Sequence, residues 1–281
     1  MKSAQSNKTA IAIIAGLFFI FGFITWVNGA LIPFMKTINE LTEAQSYLVA
    51  SASYISFVVM ALPASYLLRK IGYRKGMSIG LFLMTAGALV FIPAAEARTY
   101  WMFLAGIFIQ GTGMTVLQTA ANPYITILGP IESGAKRIAS MGIANKVAGA
   151  LGSVIFGAIL LNGIDEVKDV ISQVSADEKA TLLDQMADSV FMPYLVMAAI
   201  LFVLGLLMRR APLPHVEAEA STEETQSGGK KTIFQYPHLW FGMLTLFVYV
   251  GAEVIAGDTI IAYGLALGIS AAKAKFFTTF T

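Results

Sequence analysis

Long apolar runs separated by short polar stretches set the pattern of this chain. The first run follows a polar start that ends at Lys8 and continues to Phe34. Others recur at about 45–69, 76–95, 99–128, 138–161, 190–209 and 237–266. Each is about 20 residues or longer, and at about 1.5 Å per residue a helix of that length crosses the hydrocarbon core of a bilayer. The first run has no small-residue cleavage site, so it reads as a retained helix rather than a signal peptide. An eighth run begins near Ser270 and stops at Thr281, as in a fragment of a longer protein. The pattern predicts an all-α, polytopic membrane protein.

The polar stretches divide the chain. Residues 162–189 are acidic, and Ser175-Ala176-Asp177-Glu178 fits a capping box that starts a surface helix with Leu182, Leu183 and Met186 on its apolar side. Residues 210–236 hold Pro212, Pro214, Glu217, Glu219, Glu223, Glu224, Gly228 and Gly229, the composition of a flexible linker. Alternating the loops from a cytoplasmic N-terminus puts twelve Lys and Arg inside and six outside, with Lys146 left within a run. The positive-inside rule therefore favours a cytoplasmic N-terminus.

Composition agrees with the pattern. Hydrophobic residues make up 57% and charged residues 13%, against roughly 25% charged in soluble domains. Mean hydropathy is +0.71. With 0 cysteines, disulfides and thiol chemistry are excluded. Gly111-Thr112-Gly113 follows no strand and lacks the third glycine of a nucleotide loop. No metal cluster or nucleophile triad stands out, so the chain does not read as an enzyme. The glycines of the fourth and fifth runs, Gly106, Gly111, Gly113, Gly142, Gly149, Gly152 and Gly157, suit close helix packing.

The few polar groups inside the apolar runs are the candidate chemistry. Gln118 and Asn122 are four residues apart and share a helix face. Side-chain amides in hydrocarbon need a partner or a wet cavity. They either wall a pathway or join two helices, and Pro123 after Asn122 removes a backbone hydrogen bond. Lys146 lies roughly 13 Å into its helix, counted from Arg137. Of 17 acids only Glu253 and Asp258 fall within an apolar run. They are about 140° apart around a helix. A helix broken at Gly251, Gly257 or Gly264 would let both line one site, with carboxylate and backbone oxygens suited to an alkali cation. Glu253, the deeper of the two, is the first choice for cation coupling and Asp258 the second.

Several stretches resemble one family. Leu117-Gln118-Thr119-Ala120-Ala121-Asn122-Pro123-Tyr124 with Leu128-Gly129-Pro130, Phe21-Gly22-Phe23-Ile24-Thr25-Trp26-Val27-Asn28-Gly29-Ala30-Leu31-Ile32-Pro33, Met141 to Ala150, and Val250-Gly251-Ala252-Glu253 resemble the fucose/galactose/glucose permeases. These form a sugar-symporter branch of the major facilitator superfamily, and the likeness is to the glucose/galactose branch more than to the fucose branch. Arg69 to Lys75 partly resembles the superfamily's signature loop, with Arg69 where aspartate is common.

The resemblance implies a major facilitator fold: an N-terminal six-helix bundle over 1–209, a cytoplasmic linker over 210–236, and the start of the second bundle over 237–281. It implies sugar contacts at Trp26, Gln118 and Asn145, to which Asn28, Asn122 and Lys146 add further polar groups. The fucose-type pattern has an aspartate in the first helix and a proton-carrying glutamate in the fourth. Here those positions read Gly29 and Gln118, and an amide cannot carry a proton. The expectation is therefore uptake of glucose or galactose by cation symport in a bacterial inner membrane, with sodium first and a proton through Glu253 or Asp258 second. A non-transporting membrane sugar sensor is the alternative outside that class. No cofactor is expected beyond the coupling ion, and no resident metal is assigned. The expected partners are a small-molecule sugar and the lipid bilayer, with no nucleic acid and the chain acting as a monomer.

Overall fold

The computed structural model describes residues 2–161, 164–171, 173–214 and 236–280, and every regular element in them is helical. In chain order these are α1 (Lys2–Thr25), α2 (Asn28–Ile38), α3 (Glu43–Ile71), α4 (Tyr73–Glu96) and α5 (Tyr100–Ile127). A short 3-10 turn, Ile131–Ser133, leads into α6 (Gly134–Leu160), α7 (Ile164–Ile171), α8 (Ala176–Asp188) and α9 (Phe191–Arg210). Further along the chain come α10 (Pro237–Ala266), α11 (Ala271–Ala274) and a second 3-10 turn, Phe277–Phe280. Among the described residues seven stretches are long and apolar enough to cross a membrane, the first of them α1 and α2 together.

One expectation changes here. The first run is not one helix: α1 ends at Thr25 and α2 begins at Asn28. At the break Val27 N bonds the Ile24 carbonyl, three residues back instead of four. Asn28-Gly29 is a weak helix-forming pair, and Pro33 leaves the Gly29 carbonyl without its ladder donor. The eighth run opens with the single turn of α11.

The helices pack through small residues. A Cβ on Gly80 of α4 would lie 2.8 Å from the Gly113 carbonyl of α5, and one on Gly113 would lie 2.5 Å from the Gly80 carbonyl, so only glycine permits this approach. Likewise α1 meets α6 where a Cβ on Gly22 would lie 1.9 Å from the Asn145 carbonyl. Outward faces stay apolar, as at Val58, Leu62, Val196, Val203, Phe241 and Phe247, all exposed in the protein. Such faces need lipid around them.

The turns alternate between two ends, as the loop pattern requires. At one end Arg98 donates from Nε and Nη2 to the Ile38 carbonyl at 3.2 and 2.9 Å and from Nη1 to Asp184 at 3.2 Å. Lys179 of α8 pairs with Glu40 there. Helix α8 begins with the expected capping box between Ser175 and Glu178 and buries Leu183 and Ala187. At the other end Gly72 turns α3 into α4 with φ +77°, a conformation that favours glycine. Tyr124 donates to the Pro214 carbonyl at 2.9 Å at that end. Most of the expected linker, residues 215–235, lies outside the described residues.

Candidate functional site

The break that ends α1 places Thr25 and Trp26 against three other spans and α10. Together they enclose a cavity of about 340 Å³ lined by Thr25, Trp26, Tyr54, Phe57, Gln118, Asn145, Val250, Glu253, Val254 and Asp258. That volume lies in the range of small-molecule sites. A larger cavity of about 490 Å³ between α1, α6 and α9 is walled by apolar side chains such as Phe19, Phe23, Ile155 and Met197, and gives a hydroxylated ligand nothing to bond.

The polar groups of the smaller cavity differ in how far they are already engaged. Gln118 is half-buried, and among the described residues its amide has no hydrogen-bond partner. Asn145 donates from Nδ2 to the Phe18 carbonyl at 3.3 Å, so its own oxygen is left for a ligand. Lys146 reaches the cavity's edge. Its ammonium lies 4.5 Å from the centre of the Trp26 ring and also pairs with Glu253. A cation over an indole face is attracted by the ring's quadrupole. Lys146 therefore points to the cavity, not toward the end of its helix.

The two acids of α10 both line the cavity although about 140° of helix separates them. The expected break in α10 is absent: the helix runs unbroken from Pro237 to Ala266 through Gly251, Gly257 and Gly264. Both acids reach the site because the cavity covers a broad face of α10, with Val250, Val254 and Asp258 in one stripe and Glu253 beside it. Their settings differ. Glu253 is matched by the charge of Lys146. Asp258 is 5% exposed and accepts a hydrogen bond from the Tyr54 hydroxyl at 3.0 Å. A neutral phenol thus faces the buried acid, and a charged ammonium faces the more open one.

Four of the six expected sugar-site residues, Trp26, Gln118, Asn145 and Lys146, come together here, beside both expected coupling acids. Asn122 does not join them: it is exposed and lines no part of the cavity, lying about 6 Å further along α5 than Gln118. Asn28 opens α2, and its side chain lies outside the described residues. Sequence reasoning missed Tyr54 and Phe57 of α3. The available signal was the hydroxyl face of Tyr47, Ser51 and Tyr54 within an apolar run, at helical spacing. No group of three or more His, Asp or Glu converges as a metal site among the described residues.

The family model of the Major Facilitator Superfamily matches residues 14–280. A protein named glucose/galactose transporter in Brucella abortus (biovar 1, strain 9-941) is 35% identical over 262 residues, covering 93% of this chain and 60% of that one. The L-fucose-proton symporter of Escherichia coli (strain K12) is 32% identical over 272 residues, covering 94% and 62%. The crystal structure of the major facilitator FucP in the outward conformation superposes with a TM-score of 0.77 at 29% identity, covering 98% of this chain and 68% of that one. The chain spans about 60% of the length of the curated relatives it matches.

Proposed function

The chain belongs to the major facilitator superfamily, and from that premise we propose that the full-length protein takes up a hexose, glucose or galactose, by proton symport with alternating access. The observation that carries this is one cavity holding an indole, two amides and the carboxylates of α10. A hexose needs fixed donors and acceptors for its hydroxyls and an apolar plane for its C–H face. Gln118 and Asn145 supply the first and Trp26 the second. Lys146 lies over the indole, so a sugar ring laid on that face displaces the ammonium toward Glu253. The relatives' names, a glucose/galactose transporter and an L-fucose-proton symporter, support the substrate class and the coupling mode.

Sodium, the first choice from sequence, loses the backbone ligands expected for it. That choice rested on the absence of carboxylates at Gly29 and Gln118, which stands, and on unwound backbone in α10 to offer carbonyl oxygens, which does not, because α10 is unbroken. Asp258 suits a proton. It is a buried acid opposed by a phenol that donates to it, and a carboxyl, unlike Gln118, binds and releases a proton. Glu253 has its charge met by Lys146, so we assign it to site architecture and Asp258 to coupling. In this reading residues 1–209 form the first bundle, 210–236 the cytoplasmic linker and 237–281 the start of the second, in a bacterial inner membrane. The test is counterflow: full-length protein in liposomes preloaded with glucose or galactose exchanges radiolabelled sugar. A sensor that never cycles shows no exchange.

A further inference from the structure

Trp26 stands where the helix ladder of α1 ends. Two glycines on two other helices lie against its ring. A Cβ built on Gly149 of α6 would lie 2.4 Å from Trp26 Cδ1 and 2.8 Å from Nε1. One built on Gly257 of α10 would lie 2.2 Å from Cζ3 and 2.8 Å from Cη2. Carbon atoms pack at about 3.5–4.0 Å, so neither place admits a methyl group unless the indole shifts by about an ångström or more. Gly149 backs the pyrrole part of the ring and Gly257 the benzene part.

These are not ordinary helix-packing glycines. At Gly80 and Gly22 an added Cβ meets a neighbouring backbone, whereas at Gly149 and Gly257 the three nearest atoms all belong to Trp26. Elsewhere on the same two helices, Gly142 and Gly251 have nothing within 4 Å of an added Cβ. The grip is therefore local to the ring.

We propose that Gly149 and Gly257 are positioning residues for the sugar-stacking plane, holding the Trp26 indole between α6 and α10. This rests on the hexose-binding reading of the cavity and adds to it. Because α10 lies beyond the linker, the plane is complete only while α10 is docked against Trp26. Affinity for the sugar then depends on the docking of the two bundles, through one ring that both touch.

The test uses the full-length protein in liposomes, with glucose and galactose counterflow measured over a range of concentrations. Gly149→Ala and Gly257→Ala each raise KM by about tenfold or more with a smaller change in maximal rate, because the ring is moved while the rest of the site remains. Gly142→Ala and Gly251→Ala leave KM within about twofold of wild type, since their methyl groups enter open space. Replacing the indole by a smaller ring relieves the clash, so in detergent Gly257→Ala lowers the unfolding temperature and Gly257→Ala/Trp26→Phe recovers part of that loss. Wild-type KM in both Gly149→Ala and Gly257→Ala overturns the proposal. Equal damage from Gly142→Ala and Gly251→Ala also overturns it, by assigning the effect to general helix packing. A wild-type protein that exchanges no hexose overturns both the proposal and the reading beneath it, an outcome distinct from normal exchange in wild type and variants alike.

Discussion

Tyr54 of α3 donates its hydroxyl to Asp258 of α10 at 3.0 Å, joining two residues 204 positions apart in sequence. The bond ties α3 to α10 at the wall of the polar cavity. Asp258 is the more buried of the two acids there, and the phenol satisfies one of its oxygens without neutralising it. Glu253, by contrast, is paired with the ammonium of Lys146.

Lys146 and Glu253 are expected to act as a unit. Lys146→Gln or Glu253→Gln alone leaves one charge without its partner inside the membrane, while the double variant removes both. The single variants should each lower the unfolding temperature, and the double variant should lose less than their sum. The coupling should fall in the lower part of about 0.5–3 kcal/mol, because the Lys146 side chain is 45% exposed and solvent weakens the pair. Additive losses would separate the two residues.

Gln118→Ala should weaken hexose binding. The variant leaves a sugar hydroxyl without a partner in the cavity, a loss of about 1–3 kcal/mol, or roughly 5- to 150-fold in affinity. Equilibrium binding to the purified full-length protein measures it. Unchanged affinity in a folded variant would make Gln118 a packing residue.

Arg137 is expected to matter for stability and not for sugar. Its guanidinium folds back on the end of α5, donating to the Ile125 carbonyl at 2.9 Å, the Thr126 carbonyl at 2.6 Å and the Ser133 hydroxyl at 2.6 Å. The last carbonyls of a helix have no partner within it and attract cations. Lysine has one donor atom and cannot reproduce the fork. Arg137→Lys should cost about 1–3 kcal/mol, read as a lower unfolding temperature with hexose affinity unchanged.

Orientation is checked by labelling. Single cysteines replacing Ser175 and Ser221 should react with an impermeant reagent from opposite faces of the membrane, Ser175 from outside. Ser221 lies in the expected linker and Ser175 at the start of α8. Labelling of both from one face would refute the charge-based topology.

The spans were legible because each apolar run is long enough to cross a bilayer and is closed by charged or turn-forming residues. The break at Trp26 was not, although Asn28-Gly29 follows it, since the run stays apolar overall and hydropathy does not register a shift in hydrogen bonding. Glycine content misled at α10, where three glycines suggested a broken helix. Gly257 and Gly264 instead make room for the rings of Trp26 and Phe277, and the backbone stays helical. Gln118 and Asn122 share a helix face, but the cavity ends one turn before Asn122. Tyr54 gave a weak signal because a few hydroxyls on one face of an apolar run resemble packing, and its meaning comes only from an acid 204 residues away.

The most direct measurement is accumulation of radiolabelled glucose and galactose by the full-length protein in liposomes, under an imposed proton gradient or, at fixed pH, a sodium gradient. The proton gradient should drive uptake above equilibrium in wild type and the sodium gradient should not. Asp258→Asn keeps the size of the side chain and an acceptor for Tyr54 but cannot carry a proton, so it should lose accumulation while counterflow persists. Accumulation driven by sodium at fixed pH, or proton-driven accumulation undiminished in Asp258→Asn, would contradict proton coupling through this acid.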